Sequence, residues 1–553
     1  MRVLFVCQAH ESLGIEYLSA VLRQHGHVTD LAYDPALFEH PQLNSTFLSR
    51  AFSYKRAMLA KAATFKPDLV AINVWTHNAP WAVEMARSLK EVTGAPVVVG
   101  GVHVSGAPDQ TMRHPEYDFA IVGEGEGPLL ALVTALEDKR DFSAVPNLLY
   151  RRDGVLMKNP LGPFPDYAAL PWPDKELFLR ESRHFGHGYY MQTSRGCPMK
   201  CSFCTEDFLS GLSDSGTRNH KAYLRTRPVE QVIAELVENK ARYGFTHVMF
   251  SDDILGWDAD WFEEFAAAYK RDVDLPYWCF MYPSVVNERM VANLVMSGCY
   301  QVQMGVQSLS PKIRRDIMFR HESQDQITRA IELFRKSPIC LKVDNIAGVP
   351  GQTTEDLLET ARYYSVHRPD QLGVYPLTYF PGTSIIPIAE EMGYLDKEDV
   401  QRIHESTDGT TLYRASSRHD PSTARLIGYL NWVIFLPDWL NRFIVKRGYY
   451  RFWPADRWTH GFLLFIQLFL QKRTPAWNTE TRLLMKTMDY VGRIAKAAVS
   501  TRFRRRPRRQ PVRQHGQVTE RFIPEAATAI HGTEWGPGLK NRRETADRPP
   551  APL

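Results

Sequence analysis

The sequence predicts an α/β protein with two parallel-sheet domains followed by a mainly helical region. Short Val- and Ile-rich runs alternate with helical stretches over residues 1–145 and again over 186–385, and a proline-rich segment separates the two blocks. Such alternation produces parallel sheets covered by helices. The 553 residues are 44% hydrophobic and 23% charged, an ordinary globular composition that allows two or three domains with full cores.

Residues 1–145 are predicted to form a doubly wound, Rossmann-like domain. The predicted strands are 3–6, 69–72, 97–99 and 119–122, and the predicted helices are 14–25, 82–93 and 129–136. Small or polar residues follow the strand ends, where they let a large ligand approach the backbone. They are Asn73, Thr76, Gly100, Gly101, Gly123, Glu124 and Gly125. A generic nucleotide-binding or flavodoxin-like sheet has the same pattern, so these loops alone leave the ligand open.

Residues 186–385 are predicted to form a partial TIM-type barrel of six strand–helix units, (β/α)6. Apolar runs at 190–193, 247–250, 277–280, 301–304, 341–344 and 371–374 alternate with helical patterns. Functional residues of such barrels stand at the carboxyl ends of the strands. We therefore expect a site built by the loops that follow these strands.

Composition also predicts the regions outside the two domains. Six prolines in 146–185 disfavour regular elements and predict a linker. Residues 386–495 are predicted to be mainly helical, and 496–553 to be a disordered Pro- and Arg-rich tail. Its basic run at 501–509 is either solvated charge or a contact for anionic lipid or nucleic acid, and we do not expect nucleic acid as a partner.

Aromatic and basic residues are interspersed over residues 426–470. No apolar run there reaches the roughly 20 residues that a membrane-spanning helix needs. Two interpretations stay open. The region is a helical cap over a substrate cavity, which we favour, or an interfacial helix that gives the protein a peripheral membrane contact.

Three of the seven cysteines, Cys197, Cys201 and Cys204, lie in one short loop after the first predicted barrel strand. Thiolates at this spacing can bind one face of an iron–sulfur cluster and leave one iron open. A structural zinc site would need a second ligand pair, and the nearest spare ligand, His220, is alone. A disulfide would leave one thiol unpaired. The other cysteines are scattered singly in apolar stretches, as buried free thiols of a reducing compartment are.

This Cys-x3-Cys-x2-Cys run resembles the signature of the radical S-adenosylmethionine (SAM) superfamily. The resemblance implies a 4Fe-4S cluster held by the three cysteines as catalytic metal ligands, with SAM at the open iron and Phe203 against the cofactor. It also implies that Asp252 and Asp253 lie near the amine of SAM, although Ser251-Asp-Asp253 also fits a helix N-cap.

Two further stretches resemble SAM-binding elements of this superfamily. In Gly305-Val-Gln-Ser308, Gln307 and Ser308 are expected at the ribose or carboxylate of SAM, although a plain strand-to-helix turn has the same pattern. In Gly348-Val-Pro-Gly351, the glycines leave room for adenine beside the backbone, and Val349 is expected to pack on the base.

The order of the loops in residues 1–145, directly before such a core, is similar to the cobalamin-binding domain of cobalamin-dependent radical SAM enzymes. The resemblance assigns Asn73, Thr76 and the two glycine-rich loops to cobalamin. His10 is not expected to be an axial cobalt ligand, because Cys7-Gln-Ala-His10-Glu-Ser-Leu-Gly14 lacks the aspartate and the spacing of the Asp-x-His-x-x-Gly motif.

The resemblance implies reductive cleavage of SAM to a 5′-deoxyadenosyl radical, hydrogen abstraction from an unactivated carbon, and methyl transfer through cobalamin. Oxidative cyclisation or ring rearrangement, as in the anaerobic magnesium-protoporphyrin monomethyl ester cyclase, is an alternative, and so is a noncatalytic cobalamin-responsive regulator. The expected partners are a substrate and an electron donor such as flavodoxin or ferredoxin. The substrate is expected to be a small molecule such as a lipid or tetrapyrrole, and a peptide or other natural product stays open. The amino-terminal run is too short for a signal peptide, which predicts a cytoplasmic protein.

Overall fold

The computed structural model describes residues 1–37, 48–49, 52–406, 421–454, 490 and 492. The chain divides into two compact units, Met1–Asp489 and Tyr490–Leu553, and everything below concerns the first. The predicted tail 496–553 lies outside the described residues, and so do positions 407–420, 455–489, 491 and 493–495 of the predicted helical region.

The first sheet has seven strands in the order β2-β1-β3-β4-β5-β6-β7. They are β1 Arg2–Gln8, β2 Val28–Asp34, β3 Leu69–Asn73, β4 Val97–Gly100, β5 Phe119–Ile121, β6 Leu148–Arg152 and β7 Val155–Lys158. The first five are parallel, and the strand order reverses between β1 and β3. In doubly wound sheets, ligands bind outside the carboxyl ends of the strands at such a reversal. The predicted α/β class is therefore confirmed here.

Helices cover both faces of this sheet. The longer ones are Leu13–Gln24, Lys55–Phe65, Ala79–Thr93 and Glu126–Glu137, and the shorter ones are Val102–Gly106 and Pro108–Thr111. The first begins at Ser12, whose Oγ accepts a hydrogen bond from the Ile15 backbone N–H at 3.3 Å. This cap fixes the loop between β1 and its helix at the ligand-binding edge of the sheet.

The proline-rich segment contains more regular structure than its composition predicts. Strands β6 and β7 form an antiparallel hairpin that extends the first sheet beyond β5. Pro146 and Pro160 flank this hairpin and do not interrupt it. Its turn is Asp153-Gly154, and both residues have positive φ, as a tight hairpin turn requires. The Asp-Gly pair was the sequence signal that could have predicted the hairpin.

The second sheet has six parallel strands in the order β15-β14-β13-β12-β11-β8. They are β8 Gly188–Met191, β11 His247–Phe250, β12 Tyr277–Met281, β13 Cys299–Gln307, β14 Cys340–Ala347 and β15 Gln371–Pro376. A separate antiparallel pair joins β9 Ser194–Arg195 to β10 Arg225–Thr226. The strands follow chain order with a helix after each, so the sheet is an open, partial barrel.

The barrel helices are Val229–Tyr243, Ala259–Asp272, Glu288–Ser297, Gln324–Arg335 and Thr354–Val366, followed by Ile385–Glu391 and Lys397–Glu405. Ser323 and Thr353 start two of them with capping boxes, and Gly244 and Gly298 end two others in the left-handed conformation. The helices and the outward-facing strand residues enclose the main core, which includes Val302, Met304 and Val343.

Two further helices, Pro421–Leu430 and Asp438–Arg447, pack on the side of the barrel. Asn431 exchanges hydrogen bonds with the backbone of Val374 on β15, and Ser365 Oγ donates to Asp438 Oδ1 at 2.8 Å. Arg368, which precedes β15, donates to the Leu436 carbonyl. These contacts place the described part of the region against the helix Thr354–Val366 and the edge strand β15, and the cap over the cavity stays a prediction.

Among the described residues, no helix combines the length and the apolar character that crossing a membrane requires.

Candidate active site

The three cysteines lie in a loop that the rest of the barrel fixes in place. Cys197 and Cys201 are buried, and Cys204 is half-buried at the start of the short helix Thr205–Leu209. Ser202 ties the loop to the following segment, because its backbone N–H donates to the Met318 carbonyl and its Oγ to the Ile317 carbonyl. These bonds hold the loop before any ligand is bound.

The surroundings of the thiols suit an iron–sulfur cluster. Burial raises the pKa of all three, and Asp253 and Glu206 raise it further at Cys197 and Cys204. Thiols so enclosed bind as thiolates when a cationic centre compensates their charge. No three His, Cys, Asp or Glu side chains in the described parts of the chain form the ligand set of a single metal ion. An iron–sulfur cluster does not need three ligands around one ion, because each thiolate binds a different iron.

The alternatives to a cluster find no support in this loop. All seven cysteines are free thiols, and every one lies in a described part of the chain. His220 is already engaged, since its Nδ1 lies 3.0 Å from the Cys197 carbonyl oxygen and its Nε2 lies 3.3 Å from Asp207 Oδ1. It supports the loop and is not placed as a fourth ligand.

Sequence reasoning missed a buried cation beside the loop. Arg320 lies with its Nη1 3.7 Å from Cys201 Sγ, while its Nη2 donates to the Gly305 carbonyl at 2.5 Å. Its Nε donates to Glu322 at 2.8 Å, and its guanidinium lies 4.2 Å from the centre of the Tyr282 ring. Arg320 belongs to no recognised motif, so only its position in the fold identifies it.

The two aspartates of the predicted amine site have different environments. Asp252 is fully buried, and its Oδ1 accepts four hydrogen bonds, from the backbone N–H and hydroxyl groups of Thr193 and Ser194. It therefore fixes the strand that leads into the cysteine loop, and its carboxylate is not open to a ligand, contrary to expectation. Asp253 faces the cavity described below. Loss of solvent around its carboxyl raises the pKa of Asp253, and the nearby carboxylates of Glu206 and Asp252 raise it further.

The predicted Gly305–Ser308 element is more than a plain turn at Gln307. Gln307 has φ of +67°, and its side chain turns back over Gly305, where an added Cβ would lie 2.4 Å from Gln307 Nε2. Non-glycine residues in this conformation cluster at functional sites. Ser308 is buried, and its Oγ accepts from the Ser310 backbone N–H.

The predicted adenine-binding residues lie together. Gly348 and Gly351 both have positive φ, as the close-approach prediction requires. Val349 is fully buried in a cluster with Ile313 and Met318, and Phe203 packs against the same cluster. Phe203 thus lies between the cysteine loop and the glycine-rich turn.

A cavity of about 330 Å³ lies at the carboxyl edge of the first sheet. Six of the residues predicted to bind cobalamin line it: Asn73, Gly100, Gly101, Gly123, Glu124 and Gly125. An added Cβ at Gly101 would lie 2.6 Å from Asn73 Oδ1, so a side chain there would close this part of the edge. Thr76 does not line it. Its hydroxyl is buried away from it, and its carbonyl accepts from Ser406.

The same cavity reaches the second domain. Gln192, Arg195, Gly196, Glu206, Tyr223 and Asp253 also line it, and Gly196 directly precedes Cys197. The glycine-rich loops of the first sheet and the cysteine loop of the barrel therefore border one space.

An ion-pair bridge joins the two loops beside this cavity. Arg195 donates to Glu124 at 2.8 Å and to Glu126 at 2.6 Å, and Arg225, its partner across the β9–β10 pair, also binds Glu124. Arg195 also lies against the rings of Tyr17 and Tyr167. Glu124, expected to contact a cofactor, thus has its carboxylate held by two arginines. The sequence contained no signal for this pairing.

Two family models match the chain: the Radical SAM superfamily over residues 191–364 and the B12 binding domain over residues 5–133. An uncharacterized methyltransferase of Pyrococcus horikoshii is 26% identical over 68% of this chain and 77% of its own length. The anaerobic magnesium-protoporphyrin IX monomethyl ester cyclase of Rubrivivax gelatinosus is 25% identical over 72% of this chain and 71% of its own length.

Two solved structures share the fold. The cobalamin-dependent SAM radical enzyme OxsB with aqua-cobalamin bound superposes with a TM-score of 0.60 at 15% identity, over 90% of this chain and 80% of its own. The radical SAM methyltransferase TsrM from Kitasatospora setae superposes with a TM-score of 0.56 at 20% identity, over 70% of this chain and 76% of its own.

Proposed function

Because the chain belongs to the cobalamin-dependent radical SAM enzymes, with a B12 binding domain ahead of a radical SAM domain, we propose that it methylates an unactivated carbon of a small molecule. The matches confirm the predicted family, enzyme class and cofactors: a 4Fe-4S cluster, SAM and cobalamin. The observation that carries the proposal is the single cavity bordered by both the glycine-rich loops and the cysteine loop.

Together, the bound cofactors supply an organic radical and a methyl group. In the proposal the chain's own residues position and enclose the reactants. Cys197, Cys201 and Cys204 hold the cluster, Asp253 accepts hydrogen bonds from the SAM amine, and Arg320 lies where its charge can balance the SAM carboxylate. Gln307, Ser308 and the Gly348–Gly351 turn complete the SAM site, and the loops at Asn73, Gly100–Gly101 and Gly123–Gly125 hold cobalamin.

Transfer of a deuterated methyl group tests the proposal. Anaerobically reconstituted enzyme, a reductant and SAM with a deuterated methyl group should yield a small-molecule product that carries the label, found by mass spectrometry of candidate lipid and tetrapyrrole substrates. An unlabelled, dehydrogenated or hydrated product would favour the cyclase alternative. A protein without a cluster that releases no 5′-deoxyadenosine would favour the regulator.

The proposal includes the setting of the reaction. Seven free thiols and an iron–sulfur cluster fit a reducing, cytoplasmic compartment, and a flavodoxin or ferredoxin would supply the electron. The substrate would be a tetrapyrrole, because the cyclase of Rubrivivax gelatinosus is a tetrapyrrole enzyme by name, or a lipid, which fits the exposed aromatic residues of region 426–470.

We further propose that the described part of region 426–470 gives the enzyme its peripheral membrane contact. One face of helix Asp438–Arg447 exposes Trp439, Arg442, Phe443 and Lys446 at helical spacing, while Leu440 and Ile444 pack on the core. Tyr449 and Phe452 continue this exposed face, and Trp439 and Phe452 are 69% and 78% exposed. Residues 438–453 contain four basic side chains and one acidic side chain, Asp438. This excess of positive charge favours contact with anionic lipid headgroups.

Vesicle flotation tests this contact. With phosphatidylglycerol–phosphatidylcholine vesicles, the variant W439S/F452S should partition at least about tenfold more weakly than the wild type, because two apolar side chains are removed from the lipid boundary. The control is Val155→Ser, which removes an exposed apolar side chain from the hairpin of the first sheet. Equal partitioning of both variants, or no binding by the wild type, would contradict the contact.

A further inference from the structure

The inner face of the barrel contains a polar group that the cofactor sites do not use. On β13 and β14, Val302, Met304, Leu341 and Val343 pack under the helices in the main core. Successive residues of a strand point to opposite faces, so Gln303 and Asp344 project from the inner face. Gly305 and Gly373 are the register partners of Asp344 on the two neighbouring strands.

Asp344 is held on one side, and on the other it has an enclosed acceptor oxygen without a partner. Its Oδ2 accepts a hydrogen bond from Gln303 Nε2. Its Oδ1 is buried and, among the described residues, has no hydrogen-bond partner. Burial raises the pKa of this carboxyl, against the opposing effects of Lys342 and Gln303. A buried, unpartnered acceptor costs free energy that a donor from a ligand would recover.

Aromatic side chains lie on the same face of the sheet as this carboxylate. Phe280 is the register partner of Gln303, and its ring centre lies 5.0 Å from that of Trp278. Tyr375 is 47% exposed, and an added Cβ at Gly373 would lie 2.6 Å from the Tyr375 hydroxyl and 2.8 Å from Asp344 Oδ1. Because residue 373 is a glycine, both groups can lie over the backbone at this position.

The group also lies beside the proposed SAM site. The carbonyl of Gly305, the register partner of Asp344, accepts from Arg320, which in turn reaches Cys201. A molecule bound at Asp344 would thus lie on the same face of the sheet as the turned-back side chain of Gln307.

We propose that Asp344, held by Gln303 on the face that also presents Trp278, Phe280 and Tyr375, binds the substrate through an O–H or N–H donor carried on an aromatic body. This inference deepens the proposed function, since it gives the chemical class of the substrate. The charged acceptor fixes orientation, and the rings supply apolar contact area.

A matched pair of probes tests it by equilibrium dialysis against the holoenzyme with SAM and without reductant. The probe 1-naphthaleneethanol carries a hydroxyl donor, and 1-ethylnaphthalene lacks it. The wild type should bind the alcohol about tenfold more tightly, the gain expected from one hydrogen bond to a charged acceptor. Asp344→Leu should bind both probes equally, and Asp344→Asn, which keeps an acceptor oxygen, should retain part of the preference.

The control variant is Glu359→Gln, which changes an exposed carboxylate on the outer helix Thr354–Val366 and should keep the full preference. Equal affinities in the wild type, binding of neither probe, or a preference that survives in Asp344→Leu would overturn the inference. No methyl transfer occurs in this assay, so its outcome is separate from that of the labelling experiment.

Discussion

Replacing Cys201 with alanine should abolish both cluster assembly and SAM cleavage. In the proposed assignment the three thiolates are the chain's contribution to the cluster, and two remaining ligands do not hold it. After anaerobic reconstitution, the iron content should fall from about four atoms per chain in the wild type to well below one in the variant. Formation of 5′-deoxyadenosine should fall to the level measured without enzyme.

Cys340→Ala is the matched control, because it also removes a buried thiol from the barrel, at the start of β14 and outside the cysteine loop. It should keep its iron and its 5′-deoxyadenosine. If Cys201→Ala keeps a normal cluster by iron analysis and electron paramagnetic resonance, or if both variants lose it equally, the assignment of the loop is wrong.

Removing the Arg195 side chain should have the second largest effect, on stability and on cobalamin binding. Arg195→Ala removes the ion pair of Glu126 and one of the two ion pairs of Glu124, which keeps only Arg225. Both glutamates lie where the two loops meet. Removing one partner of a buried ion pair costs about 3–5 kcal/mol, so the midpoint of thermal unfolding of a unit of this size should fall by roughly 3–5 °C. Cobalamin affinity, followed by absorbance, should fall as well, because Gly123–Gly125 lose their anchor.

Arg289 provides a matched control. It also binds two carboxylates, Asp260 and Glu263, but all three side chains are more than half exposed. Exposed pairs contribute about 0–1 kcal/mol, so Arg289→Ala should leave the unfolding midpoint nearly unchanged. A similar fall in both variants would show that burial of the bridge has no special importance.

The bridge also predicts a pH dependence. Burial would raise the pKa of Glu124, but the charges of Arg195 and Arg225 outweigh it and hold the pKa below the ordinary glutamate value. A carboxyl whose pKa is lowered by folding adds stability above its unfolded-state pKa, and that stability is lost as the pH falls through the folded-state value. The difference between wild type and Arg195→Ala should therefore be full at neutral pH and shrink in acid.

Local patterns predicted much of the fold. Most strand and helix runs of both sheets lie where alternation of apolar segments places them, because each depends on neighbours in the sequence. Strand β2 and the helix Lys55–Phe65 were not among the predicted elements. The hairpin of β6 and β7 was missed, since proline density outweighed a two-residue turn signal. The different roles of Asp252 and Asp253 were not predictable, because adjacent residues with the same side chain point to opposite sides of a strand end.

By itself, the sequence determined the cofactor chemistry: the spacing of Cys197, Cys201 and Cys204 on one turn, and the small residues that follow the strands of the first sheet. Only the tertiary structure decided which groups surround those cofactor sites. Arg320 reaches Cys201 from more than a hundred residues away, Arg195 binds Glu124 across two domains, and Asp344 meets Gln303 across neighbouring strands. Contacts of this kind form when distant segments pack together, and local spacing along the chain contains no record of them.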